Sequence, residues 1–240
     1  MSYTGMAIIG REAGWSEALR QELSDRYPAL EVVSQPMIQT REIDFELPAL
    51  APTKTPVYLF TSPRSVRHFL DRTTLPRTAI TVALGRGTAR ALREFGIEPA
   101  LIGSVETAEG LAPEVHHFLS QREGEHTIIQ PTSHIAGNYL RDYLSERGIE
   151  YHTVTTYEVV LHPELEAFLA ALRRPIAFII FYSPSGVRAW SHATQLRPRA
   201  ISIGPVTAEE LRRNGWKELY ESQGSSDQEL LETVINSIQN

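Results

Sequence analysis

Short apolar runs recur along this chain, and most are followed by a small-residue turn and then a helical pattern. Met6–Ile9, Val57–Phe60, Ile80–Leu84, Ala100–Ile102, Thr127–Ile129, Ala177–Phe181 and Ala200–Ile203 each read as a buried strand. Glu31–Ser34 reads as a further strand stopped by Pro36, and another is expected near Leu219. Between them lie amphipathic stretches. Ser16 precedes a helix carrying Leu19 and Leu23, and Ser62-Pro63 and Ser183-Pro184 each place an N-cap before a proline at the first helical position. Thr88 and Thr207 open helices that close at Gly96 and Gly215, Thr107 leads a helix through Leu119, and Ser226 begins the last one. A short helix is expected within Thr40–Pro52, one over Ser133–Arg147 and one over Glu164–Leu172, whereas Tyr151–Val160 is extended. Strand–helix alternation of this kind builds parallel sheets covered on both faces, so the fold class is α/β.

The pattern is written twice. Gly85, Thr88, Ala89, Leu92, Arg93 and Gly96 recur as Gly204, Thr207, Ala208, Leu211, Arg212 and Gly215 at constant spacing. Upstream of each copy stands a second matched pair, Phe60–Val66 and Phe181–Val187. Two α/β lobes follow. The lobe that begins near Ala177 runs short of strands before Asn240, and the missing units can come only from the N-terminus. This predicts a discontinuous domain of residues 1–37 and 160–240, with residues 38–159 inserted. Extended linkers near Gln35–Ile43 and Thr153–His162 would join the two, with hinge motion across them and a ligand held between the lobes.

Composition narrows the chemistry. The chain has 240 residues, a net charge of −6 and no cysteine. An acidic balance argues against nucleic acid as a partner. The lack of cysteine excludes disulfides and thiolate catalysis, and it fits a cytoplasmic location. Met1–Gly10 has no basic region followed by a long apolar core, and no apolar run is long enough to span a bilayer, so neither a signal peptide nor a membrane partner is expected. The eight histidines show no ligand spacing with carboxylates, so no metal site is expected. Gly85-Arg86-Gly87 lacks the third glycine of a dinucleotide fingerprint, and no Walker lysine or Gly-x-Ser-x-Gly elbow is present.

In an open parallel sheet, ligands sit beyond the carboxyl ends of the strands. Gly10-Arg11, Ser62–Arg64, Gly85–Thr88, Pro131–Ser133, Ser183–Gly186 and Gly204–Thr207 are all read as strand-to-helix turns at that edge. Each offers backbone N–H groups at a positive helix end, which suits carboxylates or phosphates. The candidate binding residues are therefore Arg11, Ser62, Arg64, Gly85, Arg86, Thr88, Thr132, Ser133, Ser183, Ser185, Gly186, Val206 and Thr207. The bland alternative is that these turns are ordinary caps, and Arg188 is read as a solvated surface charge. Tyr157, in the second linker, can offer its phenol as a proton donor or serve only as a packing residue.

Phe60-Thr61-Ser62-Pro63-Arg64-Ser65-Val66, Phe181–Val187, the two Gly-x-x-Thr-Ala-x-x-Leu turns, Tyr157 within Thr156–Val160, and Pro36 together resemble the uroporphyrinogen-III synthase family, over nearly the whole chain. Departures lie at Ile9–Glu12, which lacks a Thr-Arg-Pro form, at Pro131–His134, which lacks a glycine, and at Gly87 and Tyr182. The resemblance implies two flavodoxin-like parallel-sheet domains, one discontinuous, joined by a two-stranded ladder. It implies cyclisation of hydroxymethylbilane to uroporphyrinogen III with inversion of ring D and loss of water, a step in porphyrin and heme biosynthesis that needs no cofactor. It gives Tyr157 the role of catalytic acid and makes the substrate's carboxylates the groups that the turns hold. A monomer suffices. Two other classes remain open: a non-catalytic two-lobed binding or regulatory domain of the same fold, and a sugar-phosphate-handling enzyme.

Overall fold

The computed structural model describes residues 4–224 and 226–239; the remaining positions, which include the first residues of the N-terminal segment, lie outside the described residues. The elements are β1 (Gly5–Ile9), α1 (Glu17–Arg26), β2 (Leu30–Ser34), β3 (Ile38–Glu42), β4 (Lys54–Phe60), α2 (Pro63–Leu70), β5 (Ile80–Ala83), α3 (Arg86–Glu94), β6 (Leu101–Ile102) and α4 (Ala108–Ser120). They continue with β7 (Glu125–Ser133), α5 (Tyr139–Ser145), β8 (Glu150–Leu161), α6 (Leu165–Ala171), β9 (Ile176–Phe181), α7 (Pro184–Ala193), β10 (Ala200–Ser202), α8 (Pro205–Arg213), β11 (Leu219–Glu221) and α9 (Asp227–Gln239). No helix among the described residues is long and apolar enough to cross a membrane.

Two compact units result: Met1–Gln39 with Val160–Asn240, and Thr40–Val159. The first holds a sheet ordered β11-β10-β9-β1-β2, and the second a sheet ordered β3-β8-β7-β4-β5-β6. If the first is read as starting at β9, its five strands lie in the same spatial order as β4 to β8 of the second. The units are circular permutants of one doubly wound plan, and the first, in chain order, has the flavodoxin arrangement. Strand β3 adds to the second sheet beside β8. His162 N–H donates to Met37 O at 3.0 Å and Ile43 N–H to Thr156 O at 3.1 Å. Numbers rise along one strand as they fall along the other, so the two predicted linkers pair antiparallel.

Period-2 alternation divides each sheet between two cores. In the first unit, Ile8, Ile179 and Phe181 pack with Trp190, Leu211 and Trp216, while Ile9, Phe178 and Ile180 pack with Leu19, Leu23 and Leu230. In the second, Val57, Leu59 and Ile128 meet Leu111, Val115 and Leu144, while Tyr58, Phe60 and Ile129 meet Val66, Phe69 and Leu92. Gly96 and Gly215 terminate the repeated helices at φ +72° and +84°, the left-handed conformation that favours glycine. We propose that each unit is a folding domain. Residues 38–159 expressed alone should then unfold in one cooperative transition with a native-like near-UV signal; a non-cooperative melt would count against it.

Several local expectations are corrected. Thr40–Pro52 contains no helix: Ile43 is tied to β8, and Pro48 and Pro52 each lack the N–H that a helix would need. Strand β7 runs on through Ser133, so Pro131–Ser133 is strand, not a helix-opening turn, and α5 starts only at Tyr139. Pairing of β7 with β4 ends at Tyr58–Ile129, and the ladder continues with β8 alone, an edge setting that tolerates Pro131. Helices α3 and α8 begin two residues before Thr88 and Thr207, with Gly85 and Gly204 at their N-caps. Both threonines are buried packing residues of the first turn. Ser16 sits at the N-cap of α1 but does not cap it, because its hydroxyl is spent on Tyr182.

Candidate functional site

In each unit the strand order reverses between the two central strands, β4 and β7 in one, β9 and β1 in the other. The carboxyl ends of such strands are where doubly wound sheets bind ligands.

In the second unit, β4 ends at Phe60, and Ser62 then caps α2. Ser62 Oγ accepts from Ser65 N–H at 3.1 Å, while Ser62 N–H donates to Ser65 Oγ at 3.3 Å. This reciprocal capping box uses serine at the place usually taken by glutamate. Tyr157 comes to the same point from β8. Between Thr132 and Ser133 the β7–β8 register slips: β7 advances one residue while β8 passes from Thr155 to Tyr157. Such a bulge re-aims side chains. Here Tyr157 ends 5% exposed with its Oη 3.4 Å from Ser62 Oγ.

His68, two turns along α2 from Ser62, lies flat on Tyr157, with ring centroids 4.6 Å apart and planes at 20°. Its Nε2 is 2.9 Å from Thr40 Oγ1, and its Nδ1 is 3.9 Å from Glu42 Oε1. Burial holds its pKa below the ordinary histidine range, so it is neutral at neutral pH. Arg72 fastens the assembly. Its guanidinium donates to Ile43 O at 2.8 Å and Thr156 O at 2.6 Å, and its Nε donates to His68 O at 2.9 Å. His134 closes the end of β7, its N–H donating to Tyr157 O at 3.2 Å.

The other candidates of this unit fall out unequally. Ser133 pairs with Tyr157 in register, but Thr132 is buried, its carbonyl accepting from Thr156 Oγ1 at 3.4 Å. Arg64 is exposed on the first turn of α2. The turn at Gly85 and Arg86 is filled by the chain itself: Arg86 N–H donates to Glu106 Oε1 at 2.9 Å, and a Cβ on Gly85 would come within 2.4 Å of that carboxyl group. A carboxylate at a helix N-terminus is well placed electrostatically. Here, however, it belongs to the protein.

In the first unit, Arg11 follows β1 and lies over the rings of Tyr182 at 4.5 Å and Trp15 at 5.0 Å. Tyr182 Oη is 3.0 Å from Ser16 Oγ, and burial raises the phenol's pKa. Ser183 caps α7, accepting from Gly186 N–H at 3.2 Å, with Ser185 Oγ 3.0 Å from Ser183 Oγ. Arg11, Ser183, Ser185 and Gly186 thus belong to the ends of adjacent strands β1 and β9. Val206 and Thr207 lie beyond β10, Val206 exposed and Thr207 buried. Arg188 pairs with Glu210 at 3.1 Å, in keeping with a surface charge. Among the described residues, no three acidic or histidine side chains gather to hold a metal ion.

His68, Arg72, Glu106 and Trp15 were not singled out from the sequence as site residues. A usable signal existed for two of them. Ser65 and His68 share one stripe of α2, and Arg72 continues that spacing just past the helix end; a histidine and an arginine in line with a serine mark a face turned toward a polar neighbour.

Comparison with known proteins bears on the family and the fold. A family model described as "Uroporphyrinogen-III synthase HemD" matches residues 18–232. The chloroplastic uroporphyrinogen-III synthase of Oryza sativa subsp. japonica is 31% identical over 174 residues, which cover 67% of this chain and 56% of the rice protein. The match therefore spans little more than half the length of that relative. Among solved structures, a mutant uroporphyrinogen III synthase from the extreme thermophile Thermus thermophilus superposes with a TM-score of 0.65 at 19% identity, covering 98% of both chains. The uroporphyrinogen-III synthetase of Helicobacter pylori 26695 gives the same TM-score and identity, covering 98% of this chain and 99% of its own. At such identities the structural likeness bears on fold alone, but the family match extends over most of the sequence, and the chain belongs to the uroporphyrinogen-III synthase family.

Proposed function

We propose that this protein cyclises hydroxymethylbilane to uroporphyrinogen III, with inversion of ring D and loss of water. The observation that carries the reading is the setting of Tyr157: a buried phenol beside Ser62 at the carboxyl edge of a sheet, in a chain of this family. Ser62 Oγ already accepts from Ser65 N–H, so its own proton is available to Tyr157 Oη. That leaves the phenol proton for the substrate.

In the reaction, Tyr157 O–H protonates the terminal hydroxyl of the bilane. As water leaves, the adjacent pyrrole nitrogen supplies electrons and an azafulvene forms. The substituted carbon of ring D attacks the exocyclic carbon, giving a spiro intermediate. The bond from that carbon to its original bridge breaks, and the freed bridge carbon joins ring D at the other α-position. Loss of a ring proton restores aromaticity, and the tyrosinate, held by Ser62 O–H, is reprotonated. A positioned acid contributes on the order of 10²–10⁴-fold. The rest of the work is orientation: a flexible tetrapyrrole must be folded so that ring D attacks through its hindered carbon. Its carboxylates are assigned to Arg11, Arg64, Ser133 and the N-termini of α2, α7 and α8. Arg86 takes part once Glu106 has yielded its place.

The reading carries a monomeric cytoplasmic enzyme, with no cofactor and neither nucleic acid nor membrane as partner. The net charge of −6 supports excluding nucleic acid. The assay that tests it is isomer analysis after incubation with hydroxymethylbilane, since uncatalysed closure gives isomer I.

A further inference from the structure

We propose that His68 is the positioning residue of Tyr157, its neutral imidazole serving as the flat surface that fixes the angle of the phenol. This rests on the reading of Tyr157 as the acid. The geometry that carries it is the stack of the two rings at 4.6 Å and 20°, joined to three anchors on different elements. Helix α2 supplies the backbone of His68, Thr40 of β3 holds its Nε2 at 2.9 Å, and Arg72 grips both its carbonyl and that of Thr156, the residue before Tyr157. The phenol has a weaker hold of its own, a 3.4 Å contact to Ser62. Without His68, the Tyr157 ring would keep the bulged backbone but lose the wall that sets χ2.

Charge enters because a neutral ring suits this role and a cation does not. Burial disfavours the imidazolium, and among the groups around it Glu42 on β3 and Asp71 at the C-cap of α2 favour the charged form, while Arg72, just past that cap, and Arg64 on α2 oppose it. Arg41 and Glu158, the neighbours in sequence of Thr40 and Tyr157 on β3 and β8, neutralise each other in an ion pair. Because its pKa in the folded state is depressed, the stability that His68 contributes is complete above the ordinary histidine pKa of about 6.5 and is lost as pH falls through the lower folded value. Below that value the imidazolium is drawn toward water and the Glu42 carboxylate, off the face of the phenol, and the acid loses its setting. Catalysis should therefore show an acid limb assignable to His68.

The test pairs His68→Ala with His68→Phe. Alanine removes the wall; phenylalanine keeps a flat ring and removes the titration. H68A should lower kcat for isomer III about 10-fold with KM within about 2-fold, as expected for lost orientation of a reacting group. H68F should recover kcat to within about 3-fold of the parent and flatten the acid limb. A wild-type kcat in H68A, an equal loss in both variants, or an unchanged acid limb in H68F would overturn the proposal. A second readout does not depend on the assigned reaction. In protein labelled with 13C at the tyrosine ζ carbon, the Tyr157 resonance should move with a midpoint below pH 6.5 in the parent and stay flat in H68F. A Tyr157 resonance indifferent to His68 would sink the stack whatever the enzyme makes. If the parent yields only isomer I while the resonance responds, the stack stands and the assigned reaction fails.

Discussion

Replacing Tyr157 by phenylalanine is expected to cut the rate of uroporphyrinogen III formation about 10²-fold while leaving the fold in place. The change removes one oxygen. That oxygen makes a long contact, 3.4 Å to Ser62 Oγ, so its loss should cost no more than about 1 kcal/mol of stability. The ring keeps its place against His68 of α2, a stack that needs no hydroxyl. What disappears is the proton aimed at the leaving hydroxyl, and a positioned general acid contributes about 10²–10⁴-fold. The lower end applies because the azafulvene also forms in water, so the acid assists a step that is already accessible. Initial rates of isomer III, with thermal melts of both proteins, would check this. An unchanged rate would remove Tyr157 from the chemistry.

Trp190→Ala is expected to cause the largest loss of stability, about 3–5 kcal/mol. Trp190 is fully buried on α7, meets the edge of Phe181 at 6.4 Å, and donates its Nε1–H to Leu196 O at 2.9 Å. Phe181 in turn meets Trp216 at 5.4 Å, so the three rings form one block beneath the Ser183 turn. Alanine opens a cavity and removes one of two donors to the Leu196 carbonyl, which keeps Arg197 Nη1–H at 3.0 Å, so the cavity is the dominant penalty. Against a typical domain stability of about 5–15 kcal/mol, this removes a large fraction. The Tm of the first unit should fall by about 10–20 °C. Trp190→Phe, which fills much of the space but cannot donate, should cost about half as much. Calorimetry on the three proteins would decide it; equal melting temperatures would show that the block does not hold the unit together.

The elements that could be read from the chain are those whose signals are local. Ser62-Pro63 and Ser183-Pro184 announce their helices because a cap and a proline act within one turn. Gly96 and Gly215 announce helix ends because a positive φ is a property of one residue. The repeat made the two α/β halves visible, and the strand order of the two sheets bears out the fold class.

What could not be read depends on distant partners. The extension of β7 through Ser133 exists because β8 is there to pair with it, and nothing within Pro131–Ser133 says so. The same holds for Thr88 and Thr207, whose look of helix openers gives way to glycine caps three residues earlier. The site shows the same division. Ser62 and Tyr157 stand out in their own segments, but the His68 stack joins residues far apart in sequence, as does the filling of the Gly85 turn by Glu106. Ser16 misled for a related reason: a serine before a helix predicts a cap, but a tyrosine on β9's exit loop competes for its hydroxyl.

The most direct measurement is the isomer ratio. Hydroxymethylbilane generated in situ would be incubated with the full chain, oxidised to porphyrin, and resolved by chromatography against a protein-free control. Isomer III is expected as the dominant product, formed faster than the spontaneous background and in proportion to protein concentration. Isomer I alone, at the background rate, would contradict the assigned reaction and would leave a two-unit binding protein of this family in its place.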